Sequence, residues 1–353
     1  MRECYFADFS IGPDAFLNIE KVCSNIGNNV LIIGGETALS KSIEKLRLSL
    51  EKFNIVDIVM YGKECYKTRI YEIASLYKEK KIDFIVGVGG GKAIDTSKCV
   101  ADTLGIPVVT VPTISSNCAS TSALAVVYNE NHTFECFWNF KRPAYHCFID
   151  TEIIAEAPYK YFRAGIGDTI AKYYEVEFSM RGQKLSYDDQ MGLSISRMCS
   201  EPLINNAVKA FNDCKNNIIS EEFENVAKII LVSTGMVSML IDGKFNGALA
   251  HGLFYGLTVI DGFEEKFLHG DIIGYTTIVQ LVMDGKTEEA MKIRDLIKSL
   301  GVETTLKERG IDTNRANLQK VILNALEDPD MAVIPYSVTD DMVYDAIIKA
   351  ENL

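Results

Sequence analysis

The sequence has no long hydrophobic run. Its most apolar stretch, Lys228 to Ile241, is broken by Ser233, Thr234, Gly235 and Ser238. It falls short of the ~20 residues that a bilayer span needs. It therefore reads as a buried core helix, and no membrane partner is expected. Basic blocks are missing as well. Lys+Arg 36 against Asp+Glu 48 leave a net charge of −12 over 353 residues. Such a surface repels phosphate backbones and anionic headgroups, so nucleic acid is not an expected partner. No two of the nine cysteines form a CxxC pair, and the count is odd. Met1-Arg2-Glu3-Cys4 is too polar to open a secretory signal, so reduced thiols and a cytoplasmic setting are expected. No internal repeat is visible, and histidine is scarce, with four residues. Apolar residues are plentiful: 48% hydrophobic against 24% charged excludes a disordered chain. At about 100–200 residues per domain the length allows roughly two cores.

The first part alternates short branched runs with helical stretches. Val30 to Ile33, Asp57 to Tyr61, Phe84 to Val86 and Pro107 to Val111 are brief and almost wholly apolar, as strands of a parallel sheet buried on both faces are. Between them, Thr37 to Phe53 and Lys67 to Lys80 carry apolar residues at helical spacing. This pattern predicts a doubly wound, Rossmann-like α/β domain. Ala123 to Tyr128 and Thr133 to Trp138 flank the polar Asn129-Glu130-Asn131-His132 and read as a hairpin beside the parallel strands. From about Pro158 the segments become long and helical, with clear cases at Asn225 to Leu240, Glu288 to Leu300, Asn317 to Leu326 and Asp340 to Glu351. The expected division is an α/β dinucleotide-binding domain over 1–158 and an all-helical domain over 159–353. A ligand site is expected in the cleft between them.

Phe84 to Asp95 reads as strand, glycine turn and helix start, the arrangement that aims backbone N–H groups at a phosphate. It is not a P-loop, because Val86 stands where glycine is needed and Ala93 where Ser or Thr is needed. The common dinucleotide fingerprint is also broken, by Lys92 in place of its third glycine. Two of the histidines, His251 and His269, each precede a glycine beside an apolar run, and Asp168 stands between glycine-rich Ala164 to Gly167 and a helical stretch, Thr169 to Phe178. One carboxylate and two imidazoles would make a three-ligand divalent site with open positions. The blander alternatives are hydrogen-bonded core histidines and an aspartate that caps a helix. His132 reads as solvent-facing in the hairpin turn, His146 as a structural strand residue and Cys99 as core packing.

Taken together, Gly87 to Lys98, Val111 to Ser116, Thr121 to Leu124, Ala164 to Asp168 and the two His-Gly segments resemble the iron-type alcohol dehydrogenase superfamily, in its glycerol dehydrogenase-like branch. The resemblance runs across nearly the whole chain. It implies a dehydroquinate synthase-like fold and oxidation of a small alcohol, glycerol to dihydroxyacetone, with NAD or NADP and one divalent metal. Zinc is the expected ion and iron the alternative. It places Asp168, His251 and His269 as metal ligands, Gly89, Gly90, Gly91 and Lys92 in the pyrophosphate loop, and Thr113, Ser122, Leu124 and Tyr128 along the rest of the cofactor. A homo-oligomer is expected.

Three departures from the family pattern stand out. Cys118, in Asn117-Cys118-Ala119, replaces the acidic residue of glycerol dehydrogenases and looks more like the hydroxycarboxylate dehydrogenases. It is the one thiol expected near substrate. Gly35 replaces the carboxylate that grips the adenosine ribose, with Glu36 beside it. Phe254 stands where relatives often carry a second histidine. The rival functions are therefore a 2-hydroxycarboxylate/2-oxoacid oxidoreductase, a dehydroquinate synthase-type lyase, and a metal- or nucleotide-binding protein without catalysis.

Overall fold

A computed structural model of the chain describes residues 3–131 and 133–353; His132 lies outside the described residues. Its contacts form two compact units. One takes the chain up to Tyr159 together with Asp213–Met239, and the other takes Lys160–Asn212 together with Leu240–Leu353.

The first unit is built on six parallel strands: β1 (Asp8–Gly12), β2 (Asn29–Gly34), β3 (Asn54–Met60), β4 (Phe84–Gly89), β5 (Val108–Pro112) and β8 (His146–Asp150). β6 (Leu124–Tyr128) and β7 (Phe134–Asn139) form a separate antiparallel hairpin. The sheet order is β1-β8-β5-β4-β2-β3, and every neighbouring pair runs parallel. The expected strands are present, since Val30, Leu31, Ile32 and Ile33 of β2 and Phe84, Ile85 and Val88 of β4 are fully buried. β1 is an addition that hydropathy did not announce. It is an edge strand whose first two residues are exposed, so it lacks the all-apolar texture of its neighbours. Its partner β8 lies more than 130 residues away, with Asp8 opposite His146. His146 is a strand residue, as expected, and its Nε2 lies 2.9 Å from Ser10 Oγ.

The topology places one feature. From β2 the chain winds outward to β3, then returns to β4 and continues the other way. The switch point thus lies between the carboxyl ends of β2 and β4, where doubly wound sheets hold ligands. Gly89, at the end of β4, adopts φ +146, and a Cβ there would meet the Ala93 Cβ at 2.7 Å. Only glycine turns the chain into the following helix, Gly91–Leu104.

The long helix of this unit, Glu221–Leu240, extends beyond the apolar stretch seen in the sequence. It is apolar and long enough (20 residues) to cross a membrane, yet 61% of its most apolar window is buried inside the protein, as in a core helix.

The second unit is all helical. Alongside the expected helices (Thr287–Ser299, Arg315–Glu327, Asp340–Ala350) it contains Lys160–Met180, Leu249–Leu257 and His269–Met283, which carry the candidate ligands.

Candidate metal centre

Asp168 does not cap a helix. It lies in the middle of Lys160–Met180, so the helix expected from Thr169 begins nine residues earlier and runs through Gly165 and Gly167. These glycines serve packing. A Cβ on Gly167 would lie 2.2 Å from the Gly270 carbonyl oxygen, and one on Gly270 would lie 1.8 Å from that of Ala164. Helices Lys160–Met180 and His269–Met283 thus touch backbone to backbone, and His269, the first residue of its helix, comes to rest beside Asp168. The Arg163 guanidinium holds the same crossing through two hydrogen bonds to Asp271, at 3.1 and 2.5 Å. Gly270→Ala is expected to cost about 3 kcal/mol or more, because neither backbone can retreat without repacking both helices. Thermal melting would measure the loss.

His251 reaches the same point from helix Leu249–Leu257, which begins at Ala248 with no side-chain cap of its own. Glu175, fully buried and two turns beyond Asp168 on one helix face, supplies the missing cap. One carboxylate oxygen accepts the backbone N–H groups of Ala248 and His251, both at 2.9 Å, and the other lies 2.6 Å from His251 Nδ1. Gln280 accepts the Ala250 N–H at 3.0 Å. Lys172 donates to the carbonyl and the side chain of Asn246, both at 2.9 Å, and so fixes the approach to this helix. An ionised carboxylate only accepts, so Glu175 keeps the proton on Nδ1 and leaves Nε2 as the donor atom facing Asp168.

Asp168 Oδ1 lies 3.8 Å from His251 Nε2 and 3.4 Å from His269 Nε2, and the three donor atoms all fall within 4.8 Å of one another. Four-coordinate zinc with bonds of about 2.0–2.2 Å sets its ligand atoms roughly 3.4 Å apart. The geometry therefore admits a cation, and one carboxylate with two imidazoles suits zinc or iron(II) with positions left open. The electrostatics agree. Burial pushes the His251 imidazole down, but the Glu175 and Asp168 carboxylates outweigh it and raise it to about 9. Burial pushes Asp168 up, and His269 and His251 more than offset it. This pocket concentrates negative charge where positive charge would sit. Phe254 packs edge-on against the His269 ring, with centroids 4.3 Å apart.

In the first unit the glycine turn leads into Gly91–Leu104 with no side-chain cap at Gly90, which leaves backbone N–H groups at the helix start for an anion. Lys92 is already engaged. Its ammonium lies 2.5 Å from the buried Glu64 carboxylate and 5.3 Å from the centre of the Tyr128 ring. Thr113 donates its N–H to the Gly89 carbonyl at 3.1 Å.

Comparison with known proteins decides the lineage. The iron-containing alcohol dehydrogenase model matches residues 7–150. Hydroxycarboxylate dehydrogenase A of Escherichia coli is 31% identical over 83% of this chain and 82% of its own. Glycerol dehydrogenase of Thermotoga maritima is 30% identical over 97% of this chain and 90% of its own. The chain belongs to the iron-containing alcohol dehydrogenase family. The crystal structure of glycerol dehydrogenase from Schizosaccharomyces pombe shares its fold, with a TM-score of 0.88 at 24% identity over 100% of this chain and 91% of that one. The glycerol dehydrogenase-like branch named from the sequence motifs is the right one.

Within this iron-containing alcohol dehydrogenase, the positions singled out in the sequence fall into two groups. Asp168, His251 and His269 converge. Gly89, Gly90, Gly91, Lys92, Thr113, Ser122, Leu124 and Tyr128 gather around the glycine turn, the loop after β5 and the hairpin. Cys118 is half-buried in that loop, and its carbonyl accepts the N–H groups of Thr121 and Ser122. Glu175 escaped the sequence reading, although its spacing of seven from Asp168 put both on one helix face.

Proposed function

We propose that this dehydrogenase oxidises a small polyol, glycerol to dihydroxyacetone, with NAD as hydride acceptor and one divalent cation held by Asp168, His251 and His269. The observation that carries the reading is the convergence of those three donor atoms from separate helices. Bound there, the cation supplies Lewis acidity that lowers the pKa of a hydroxyl, and NAD supplies the hydride acceptor.

The chain's own residues do the rest. Glu175 presents the His251 Nε2 lone pair. The Phe254 ring walls off one side of His269, and it offers no atom that takes a proton. With His251 committed to the cation, neither residue would take the proton that oxidation releases, and water would carry it away. The uncapped N–H groups at the start of helix Gly91–Leu104, with Gly89, Gly90 and Lys92 around them, would hold the pyrophosphate. Thr113, Ser122, Leu124 and Tyr128 would line the remaining length of the cofactor. Zinc suits the donor set as well as iron does, and a homo-oligomer in the cytoplasm is the expected setting.

A second reading, reduction of a 2-oxoacid, draws support from Cys118. A thiol binds a polyol hydroxyl less well than a carboxylate does, and it does not repel a substrate carboxylate. The E. coli relative carries the corresponding name. Initial rates decide between them. Faster turnover with glycerol and NAD+ than with 2-oxobutanoate and NADPH is expected, and the reverse order would move the assignment to the hydroxycarboxylates.

A further inference from the structure

Between β5 and β6 the chain runs from Thr113 to Ala123 without helix or strand. This loop lies against the glycine turn. A Cβ on Gly90 would meet Ile114 at 2.7 Å, and one on Gly91 would meet the Asn117 amide at 3.0 Å. A loop with no ladder of its own is ordinarily mobile, yet the carbonyls of Cys118, Ala119, Ser120 and Ser122 are all engaged here. Cys118 O accepts from Thr121 N and Ser122 N. Ser120 O accepts from the Thr110 hydroxyl at 2.8 Å. The buried Lys98 ammonium donates to Ala119 O at 2.7 Å and Leu124 O at 2.5 Å, and reaches Ser122 O at 3.4 Å. It is paired with Asp95 at 2.9 Å, whose other oxygen accepts the Val126 N–H at 3.0 Å.

One loop side chain reaches a distant element. The Thr121 hydroxyl donates to the carbonyl of Leu231 in the single π-turn, Ile229–Ser233, of helix Glu221–Leu240. The preceding carbonyl is also capped by a hydroxyl, with Thr234 Oγ1 donating to Ile230 O. Gly235, whose Cβ would lie 2.1 Å from Thr121 Oγ1, gives Thr121 its room. The widened turn therefore exposes carbonyls, and the loop uses one of them.

We propose that Thr121 is a positioning residue for cofactor binding. Its latch onto the π-turn keeps the loop that carries Cys118 and Ser122 in its binding conformation before the cofactor arrives. The inference rests on the reading of this chain as an NAD-linked dehydrogenase. When only a fraction of molecules is binding-competent, the apparent Kd rises by the inverse of that fraction, while turnover at saturation is unaffected.

Thr121→Val, of similar volume but without the hydroxyl, is expected to raise the Kd for NADH by about tenfold in fluorescence titration of the full-length, metal-replete enzyme. It should leave kcat at saturating NAD within about twofold of the parent. Thr121→Ser, which keeps the donor, is expected to bind NADH as the parent does. A merely structural role would lower the melting temperature without splitting Kd from kcat. Hydrogen exchange on the unliganded parent protein tests the same point without mutation, with the amides of 117–124 protected before NADH is added. An unchanged Kd in Thr121→Val, or loop amides protected only after NADH binds, overturns the latch and leaves the dehydrogenase reading intact. A parent protein that binds no NADH removes both.

Discussion

Replacing His269 with alanine is expected to lower kcat/KM for glycerol oxidation by roughly 10³-fold or more, with the fold retained. His269 is the most exposed of the three donors, with 42% of its side chain accessible. Truncating it costs Asp168 one partner but leaves it His251, and it opens no deep cavity, so lost activity in a folded variant reports on the site. Asp168→Ala and His251→Ala should abolish turnover as well, but each also strips partners from neighbouring buried groups. Steady-state rates paired with circular dichroism and metal content on the same preparation check this prediction. A folded His269→Ala protein that still binds its cation and turns over near the parent rate would remove His269 from the site.

The second large effect concerns a residue that never touches the ion. In Glu175→Gln the side-chain oxygen must remain with the backbone N–H groups of Ala248 and His251, since an NH₂ there would face two donors. The amide nitrogen then points at His251 Nδ1, where only an acceptor fits. The imidazole is driven to the other tautomer, with its proton on Nε2 facing Asp168. That nitrogen can no longer coordinate. Cation affinity is expected to fall about 10–100-fold, as is typical when a ligand loses its orienting partner, and the helix cap should survive. Glu175→Ala removes the cap too and should melt at a lower temperature. Titration of the metal-depleted protein with zinc, followed calorimetrically, measures the first effect. Unchanged affinity in a folded Glu175→Gln protein would contradict the tautomer argument.

The parts of this protein that the sequence reveals are those where one local rule acts alone. β2 and β4 are buried on both faces, so their apolar runs declare them, and the glycine turn follows from the need for a left-handed residue at Gly89. β1 hides because its outer side meets solvent and its partner β8 lies far along the chain. The start of Lys160–Met180 is misread for a different reason. Glycine normally breaks helices, and only the backbone contact between Gly167 and Gly270 shows that here it serves a crossing. The π-turn at Ile229–Ser233 inserts a register change that hydropathy does not register. The joining of Asp213–Met239 to the strand-bearing unit is settled by long-range packing. Asp168, His251 and His269 stand out as residue types beside glycines, but nothing in their spacing brings them together. Glu175 was readable as a helix-face neighbour of Asp168, though not as the carboxylate that orients His251.

The central claim is that one divalent cation sits among Asp168 Oδ1, His251 Nε2 and His269 Nε2 and is needed for turnover. Elemental analysis before and after exhaustive chelation, with activity followed through metal re-addition, tests it most directly. The account predicts one ion per parent chain, loss of activity with the ion, recovery as it returns, and an empty site in His269→Ala. Full dehydrogenase activity in protein shown to be free of metal would contradict it.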